Sequence, residues 1–133
     1  MANKTMTTPD PDERQAWQEL LRPLAGPRWP IRANRRFSAE DVAWLRQGLW
    51  PRGLDDRWAV WLEDDMLRCW LAGPRTCVYE ARLEFGAEGE ARCPVLEVLD
   101  SPEEYARAQS DDGELDRFDG VLALVLAARR KAA

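Results

Sequence analysis

Between Arg57 and Leu99 apolar residues recur at every second position, whereas on either side they recur at every third or fourth. The first spacing belongs to strands with one buried face, the second to amphipathic helices. Asp10 or Asp12 can cap a first helix reaching Leu21, with Ala16, Trp17, Leu20 and Leu21 on one stripe. Pro23, Gly26, Pro27 and Pro30 then interrupt regular structure until about Asn34. Ser38, with Asp41 three residues on, opens a second helix that buries Val42, Leu45 and Leu49, carries Trp44 on its shoulder and stops at Pro51 and Gly53.

Four strands follow, at residues 57–63, 66–71, 76–85 and 92–99. Their connections are short and polar, which describes an antiparallel meander, because parallel neighbours need long crossovers. Pro94 marks the last strand as an edge. A two-residue turn at Asp64-Asp65 sets the first hairpin's register. Leu62 then faces Leu67, Val60 faces Cys69 and Trp58 faces Leu71, making one apolar face. The opposite face pairs Trp61 with Arg68 and Ala59 with Trp70. In the third strand Cys77, Tyr79, Ala81, Leu83 and Phe85 share the apolar side, against Glu80, Arg82 and Glu84. Ser101-Pro102-Glu103-Glu104 begins a short helix ending near Ser110, and a last helix runs from about Asp112 to Lys131 on Leu115, Phe118, Leu122 and Val125. The expected fold is α+β: a four-stranded antiparallel meander at residues 57–99, with the N- and C-terminal helices packed on one face. Residues 10–133 form one domain behind a disordered stretch at 1–9.

The net charge of −5 argues against nucleic acid as the main partner. Charge is uneven along the chain. Residues 20–38 hold Arg22, Arg28, Arg32, Arg35 and Arg36 with no acid, whereas residues 100–119 hold eight acids against Arg107 and Arg117. Two readings follow: the two segments face one another in the fold, or Arg28, Arg32, Arg35 and Arg36 form a basic strip for an anionic partner. Cys69, Cys77 and Cys93 lack metal-site spacing and are expected as buried free thiols. The N-terminal residues have no signal-peptide pattern and no apolar run is long enough to span a bilayer, so the expected compartment is the cytoplasm. Seventeen of the nineteen basic residues are Arg, a bias that suits a GC-rich bacterial genome.

The segment Arg57-Trp58-Ala59-Val60-Trp61-Leu62-Glu63-Asp64, then Trp70 and Cys77-Val78-Tyr79-Glu80-Ala81-Arg82-Leu83-Glu84, is similar to a family of small bacterial proteins with no established activity. The resemblance covers residues 36–85. It implies a fold and no reaction. Where the family pattern has an Arg-Ser-Trp-Thr-Gly loop, this chain reads Leu71-Ala72-Gly73-Pro74-Arg75, so any chemistry of that loop is lost or changed here.

The chain contains no histidine, which removes Ser-His and Cys-His nucleophiles and imidazole acid–base chemistry. No phosphate-cradling glycine loop precedes a helix. The acids Glu63, Asp64 and Asp65 occupy a turn, where carboxylates serve local hydrogen bonding. Glu80, Arg82 and Glu84 read as an ion-pair ladder. Trp17, Trp44 and Trp58 fit core stripes, and Trp29 and Trp50 are placed to pin loops. Trp61 and Trp70 differ, because they share a sheet face with Arg57, Arg68 and Arg82. Aromatic and Arg side chains together make interface hot spots. The alternative is that residues 28–36 fold over them, with guanidinium groups stacked on indoles.

The leading expectation is therefore a non-catalytic protein-interaction module, an immunity-type or regulatory partner. It would use Arg57, Trp61, Arg68, Trp70 and Arg82 without metal or cofactor. The alternatives are a small-ligand or nucleotide-binding protein, including a carboxylate-dependent hydrolase, and a subunit of a homodimer.

Overall fold

The computed structural model describes residues 11–53 and 55–132, with side chains at 12–53 and 55–127. The tail expected at 1–9 lies outside the described residues. Elements follow in the order α1 (Pro11–Leu20), β1 (Arg28–Phe37), α2 (Ala39–Gln47), β2 (Trp58–Glu63), β3 (Met66–Leu71), β4 (Thr76–Arg82), β5 (Glu84–Phe85), β6 (Ala91–Leu99) and α3 (Asp111–Ala132). The class is α+β with an antiparallel sheet. It has six strands rather than four, ordered β1-β6-β4-β3-β2, with β5 also paired to β6. No described helix is long and apolar enough to cross a membrane.

The first hairpin has the register that side-chain alternation predicts: Leu62 opposite Leu67, Val60 opposite Cys69, Trp58 opposite Leu71, Trp61 opposite Arg68 and Ala59 opposite Trp70. Asp64 takes the tight turn at φ 56°, a conformation that Asp tolerates better than most residues. The capping box on α2 is also present, with Ser38 Oγ accepting from the Asp41 amide and Asp41 Oδ2 from the Ser38 amide.

Four expectations fail for identifiable reasons. The first is the stretch from Pro23 to about Asn34, expected to be irregular, which enters strand β1 at Arg28. Pro30 is tolerated because β1 is an edge strand, where an amide is dispensable. The second is β6, which is interior rather than an edge and holds Pro94 where its ladders lapse. On one side the β1 register slips between Arg32 and Arg35, with Asn34 at φ 51°. On the other, β4 pairs only at Val98 and Glu97 and β5 only at Arg92 and Ala91. The third is the helix expected at 101–110, which is a single turn followed by irregular chain. Tyr105 is the one large apolar residue there, too little to hold a short helix against water. The fourth is Cys77, which leaves the apolar face, because Val78 is the extra residue of a bulge between Cys69–Tyr79 and Trp70–Cys77 pairs.

Cross-strand partners define the two faces. One row reads Val60–Cys69–Tyr79–Val98–Trp29, and the adjacent row on the opposite face reads Trp61–Arg68–Glu80–Glu97–Pro30. Helices α2 and α3 cover the first face through Val42, Leu45, Phe118, Val121, Leu122 and Val125, all buried. Helices do not pack on that face alone. Helix α1 and the chain after it lie against the second face, where Trp70 Nε1 donates to the Arg22 carbonyl at 2.7 Å.

Gly48 ends α2 at φ 82°, and a Cβ there would lie 2.8 Å from the Val60 carbonyl oxygen, which is held in the bridge between Leu49 and Val60. Replacing Gly48 with Ala should therefore destabilise the fold by about 1 kcal/mol or more, read as a lower urea midpoint with an unchanged slope.

Candidate functional site

The second face divides into a closed part and an open part. In the closed part Trp70 is 3% exposed and Arg68 is partly buried beneath residues 21–24, with Trp61 half-buried against Trp50. Arg57 and Arg82 are exposed but stand beside opposite ends of β3, near Ala72 and Met66. The five residues expected as one patch are therefore not one surface. The cover is α1 with residues 21–24, not the 28–36 segment. A guanidinium stacks on an indole elsewhere, where Arg107 lies 4.2 Å from the Trp29 ring centre.

A buried carboxylate organises this face. Glu80 is 4% exposed, and its Oε2 accepts from Arg68 Nε at 2.7 Å and the Leu24 amide at 2.8 Å. Its Oε1 accepts from Arg28 Nη1 at 2.7 Å. Burial alone would raise the Glu80 pKa, but the bonds from Arg68, the Leu24 amide and Arg28 outweigh it and hold the carboxyl below its usual 4.5. Across the ladder Glu80 faces Glu97, a like-charge pair that costs stability unless bridged. Arg28 bridges it, reaching Glu97 Oε1 at 2.5 Å with the same nitrogen.

The four arginines of the basic segment separate. Arg28 is bound in this ladder, and Arg35 forks onto Asp119 of α3 at 2.8 and 2.9 Å. Arg32 and Arg36 are exposed and have no acidic partner among the described residues. The basic and acidic stretches do face one another in part, since Arg35 meets Asp119 and Trp29 Nε1 donates to Asp111 at 3.1 Å.

A second buried cluster lies on the other face and was not anticipated. Glu114 is fully buried, and its Oε2 accepts from the Tyr79 and Tyr105 hydroxyls, each at 2.5 Å. Its Oε1 takes the Ala108 amide at 2.7 Å, and Arg117 Nη1 donates to the Tyr105 oxygen at 2.6 Å. Burial first, then the bond to Glu114, pushes Tyr105 up to about 12, and burial likewise drives Tyr79 upward. The signal was available, because Glu114 occupies the apolar stripe of α3 with Phe118, Val121 and Val125. This cluster fastens residues 105–108 to α3 and β4. The three cysteines are free and buried, and burial pushes Cys77 up to about 12 and Cys93 to about 11, leaving protonated thiols at neutral pH.

Over β4, β6 and β1 the second face opens into a groove of about 520 Å³. Pro23, Met66, Pro94 and Val95 give it apolar surface, while Arg28, Arg68, Glu80 and Glu97 form its polar floor. Val95 is 42% exposed, against the 0–1% of Val98 and Leu99 three and four residues on. No family model, curated protein or solved structure matches the chain, so function is argued from this geometry.

Substituting Arg28 with Ala leaves Glu80 and Glu97 opposed and should cost about 1–3 kcal/mol in urea unfolding, with part restored by adding Glu97→Gln. Because the folded Glu80 pKa lies below 4.5, its stabilisation is present above that pH and fades as pH falls through the folded value, so Glu80→Gln should flatten the acid limb of a stability–pH curve. Tyr105 works in the opposite direction. Its raised pKa favours the neutral phenol, so that contribution is intact below pH 10 and is lost between 10 and about 12, and Tyr105→Phe should remove that part of the alkaline slope.

Proposed function

We propose that this protein is a non-catalytic interaction module, an immunity-type or regulatory partner, that docks through the open half of the sheet's second face. The observation that carries the reading is Val95, an exposed β-branched residue lining a sheet groove, beside the unpaired Arg32 and the ion-paired Glu97. Exposed apolar side chains beside ordered charges are the mixed composition of a protein–protein contact, and Arg is enriched in such sites. Around the groove Arg82 pairs with Asp65 at 2.7 Å, and Glu84, which also lines it, pairs with Arg92 at 2.8 Å.

This reading moves the contact surface from Trp61 and Trp70 to Arg28, Arg82 and Val95. A bacterial, cytoplasmic setting is part of it, supported by the Arg-for-Lys bias and by three thiols that pair with nothing among the described residues. The ligand-binding or hydrolase alternative fits less well, because both Glu80 oxygens are occupied by donors from the protein itself.

The test is affinity purification from extract, comparing the native protein with Val95→Asp and with Arg75→Ala in the remote turn. The reading predicts a specific partner whose recovery falls about tenfold or more with Val95→Asp alone. Equal recovery across all three, or light scattering that shows a dimer in which Val95→Asp yields monomer, contradicts it in favour of no site here or of self-association.

A further inference from the structure

We propose that the segment taken by this face is an acidic, extended stretch of the partner, gripped by Arg32, Arg36 and Arg92; the inference rests on the docking reading above. Arg36 and Arg92 are direct cross-strand partners, and Arg32 stands opposite Val95. Partners in such a ladder have Cβ atoms about 5 Å apart, where two like charges repel. Arg92 turns to Glu84, its own cross-strand neighbour in β5. Arg36 turns to no acid among the described residues, and neither does Arg32. Glu84 and Val95 both line the open groove, so the row Arg32–Arg36–Arg92 runs along its border.

Arg36 and Arg92 also line an adjoining cleft of about 500 Å³ with Phe37 and Phe85, and Phe85 is 42% exposed. On this face the unpaired Arg32 stands beside the exposed Val95, whereas Phe85 pairs with Ala91 on the other face, beneath the Arg46 guanidinium of α2. An extended peptide sends alternate side chains to one face, with positions i and i+4 about 13 Å apart there. Acids at i and i+4 meet Arg32 and Arg36, while an apolar residue between them at i+2 meets Val95.

Charge also decides against the other occupants. The chain as a whole carries −5, so an acidic segment is drawn only to local clusters of unpaired cations, of which this row is one. A continuous polyphosphate would meet Glu84 and Glu90, which line the same cleft. A second copy brought up along β1 would set arginines against arginines.

The probe is a dye-labelled eight-residue peptide, Glu-Ser-Val-Ser-Glu-Ser-Val-Ser, which when extended sets its Glu and Val side chains on one face, with a Gln-for-Glu version as control, read by fluorescence anisotropy. The native protein is compared with the double variant Arg32→Gln/Arg36→Gln and with Arg75→Gln, with circular dichroism checking that each is folded. The Glu peptide should bind about tenfold or more tightly than the Gln peptide, weaken several-fold from 50 to 200 mM salt, and lose about tenfold in the double variant but nothing in Arg75→Gln. Removing the repulsion should also raise the melting temperature of Arg36→Gln by about 1–3 °C in the absence of peptide.

Equal affinity for the two peptides, binding of neither, or an unchanged double variant overturns the inference. So does an eight-nucleotide thymidine strand that competes equally and depends on the same arginines. The two readings separate through Val95→Asp. If that change abolishes recovery of the cellular partner while the double Arg variant retains it, the docking face stands and its acidic ligand falls. If Val95→Asp changes nothing, the docking face itself is wrong.

Discussion

A charge with 4% of its residue exposed has to be surrounded, and the surroundings of Glu80 decide how the second sheet face is built. Three donors converge on it from three different places: Arg28 from β1, Arg68 from β3 and the Leu24 amide from the chain that follows α1. Arg68 belongs to a strand paired on both sides, whereas the other two donors come from less regular parts of the chain. Residues 21–27 have no regular structure, and β1 is an outer strand with a slip in its register. The carboxylate thus ties residues 21–24 and β1 to β3 and β4 through side chains, in addition to the β1–β6 ladder.

Consequences for the surface follow directly. Pulling Leu24 down to Glu80 lays Arg22 and Pro23 across the sheet and seals Trp70, whose indole N–H is then satisfied by the Arg22 carbonyl. The cover stops there, because residues 25–27 turn away to enter β1. Beyond that point the sheet face lies open, with its charges paired along the floor and Val95, Arg32 and Arg36 facing solvent. Glu114 plays the corresponding part on the other face, gathering Tyr79, Tyr105 and Ala108 so that a stretch without secondary structure closes over the core. Both buried carboxylates accept three hydrogen bonds from the protein, with each oxygen engaged, which suits fastening rather than proton transfer to a substrate.

Local rules were enough to read the first hairpin, because a two-residue turn and strict alternation leave one register: slipping by one residue would put Leu62, Val60 and Leu67 in water. The α2 cap and the extent of α3 were legible for the same reason. What escaped was decided at long range. Pro30 looked like a breaker because nothing nearby reveals that its strand lies at the sheet's outer edge. Pro94 looked like an edge marker because the slip opposite it belongs to a strand about sixty residues earlier in the chain. Alternation told correctly which way Trp61 and Trp70 point. It could not tell what lies on top of them, since their cover comes from 40–50 residues upstream and is drawn in by a carboxylate in a different strand. The acid on the α3 stripe was a readable warning of a buried polar cluster, for a charge on an apolar stripe implies partners.

Native-state hydrogen exchange at the Leu24 amide tests the fastening role of Glu80 most directly, comparing the native protein with Glu80→Ala. The account predicts that Leu24 loses about tenfold or more of its protection beyond the loss shared by amides such as Val121 in α3. If Leu24 and Val121 fall by the same factor, or Leu24 does not change, the buried carboxylate is not what holds the N-terminal segment on the sheet.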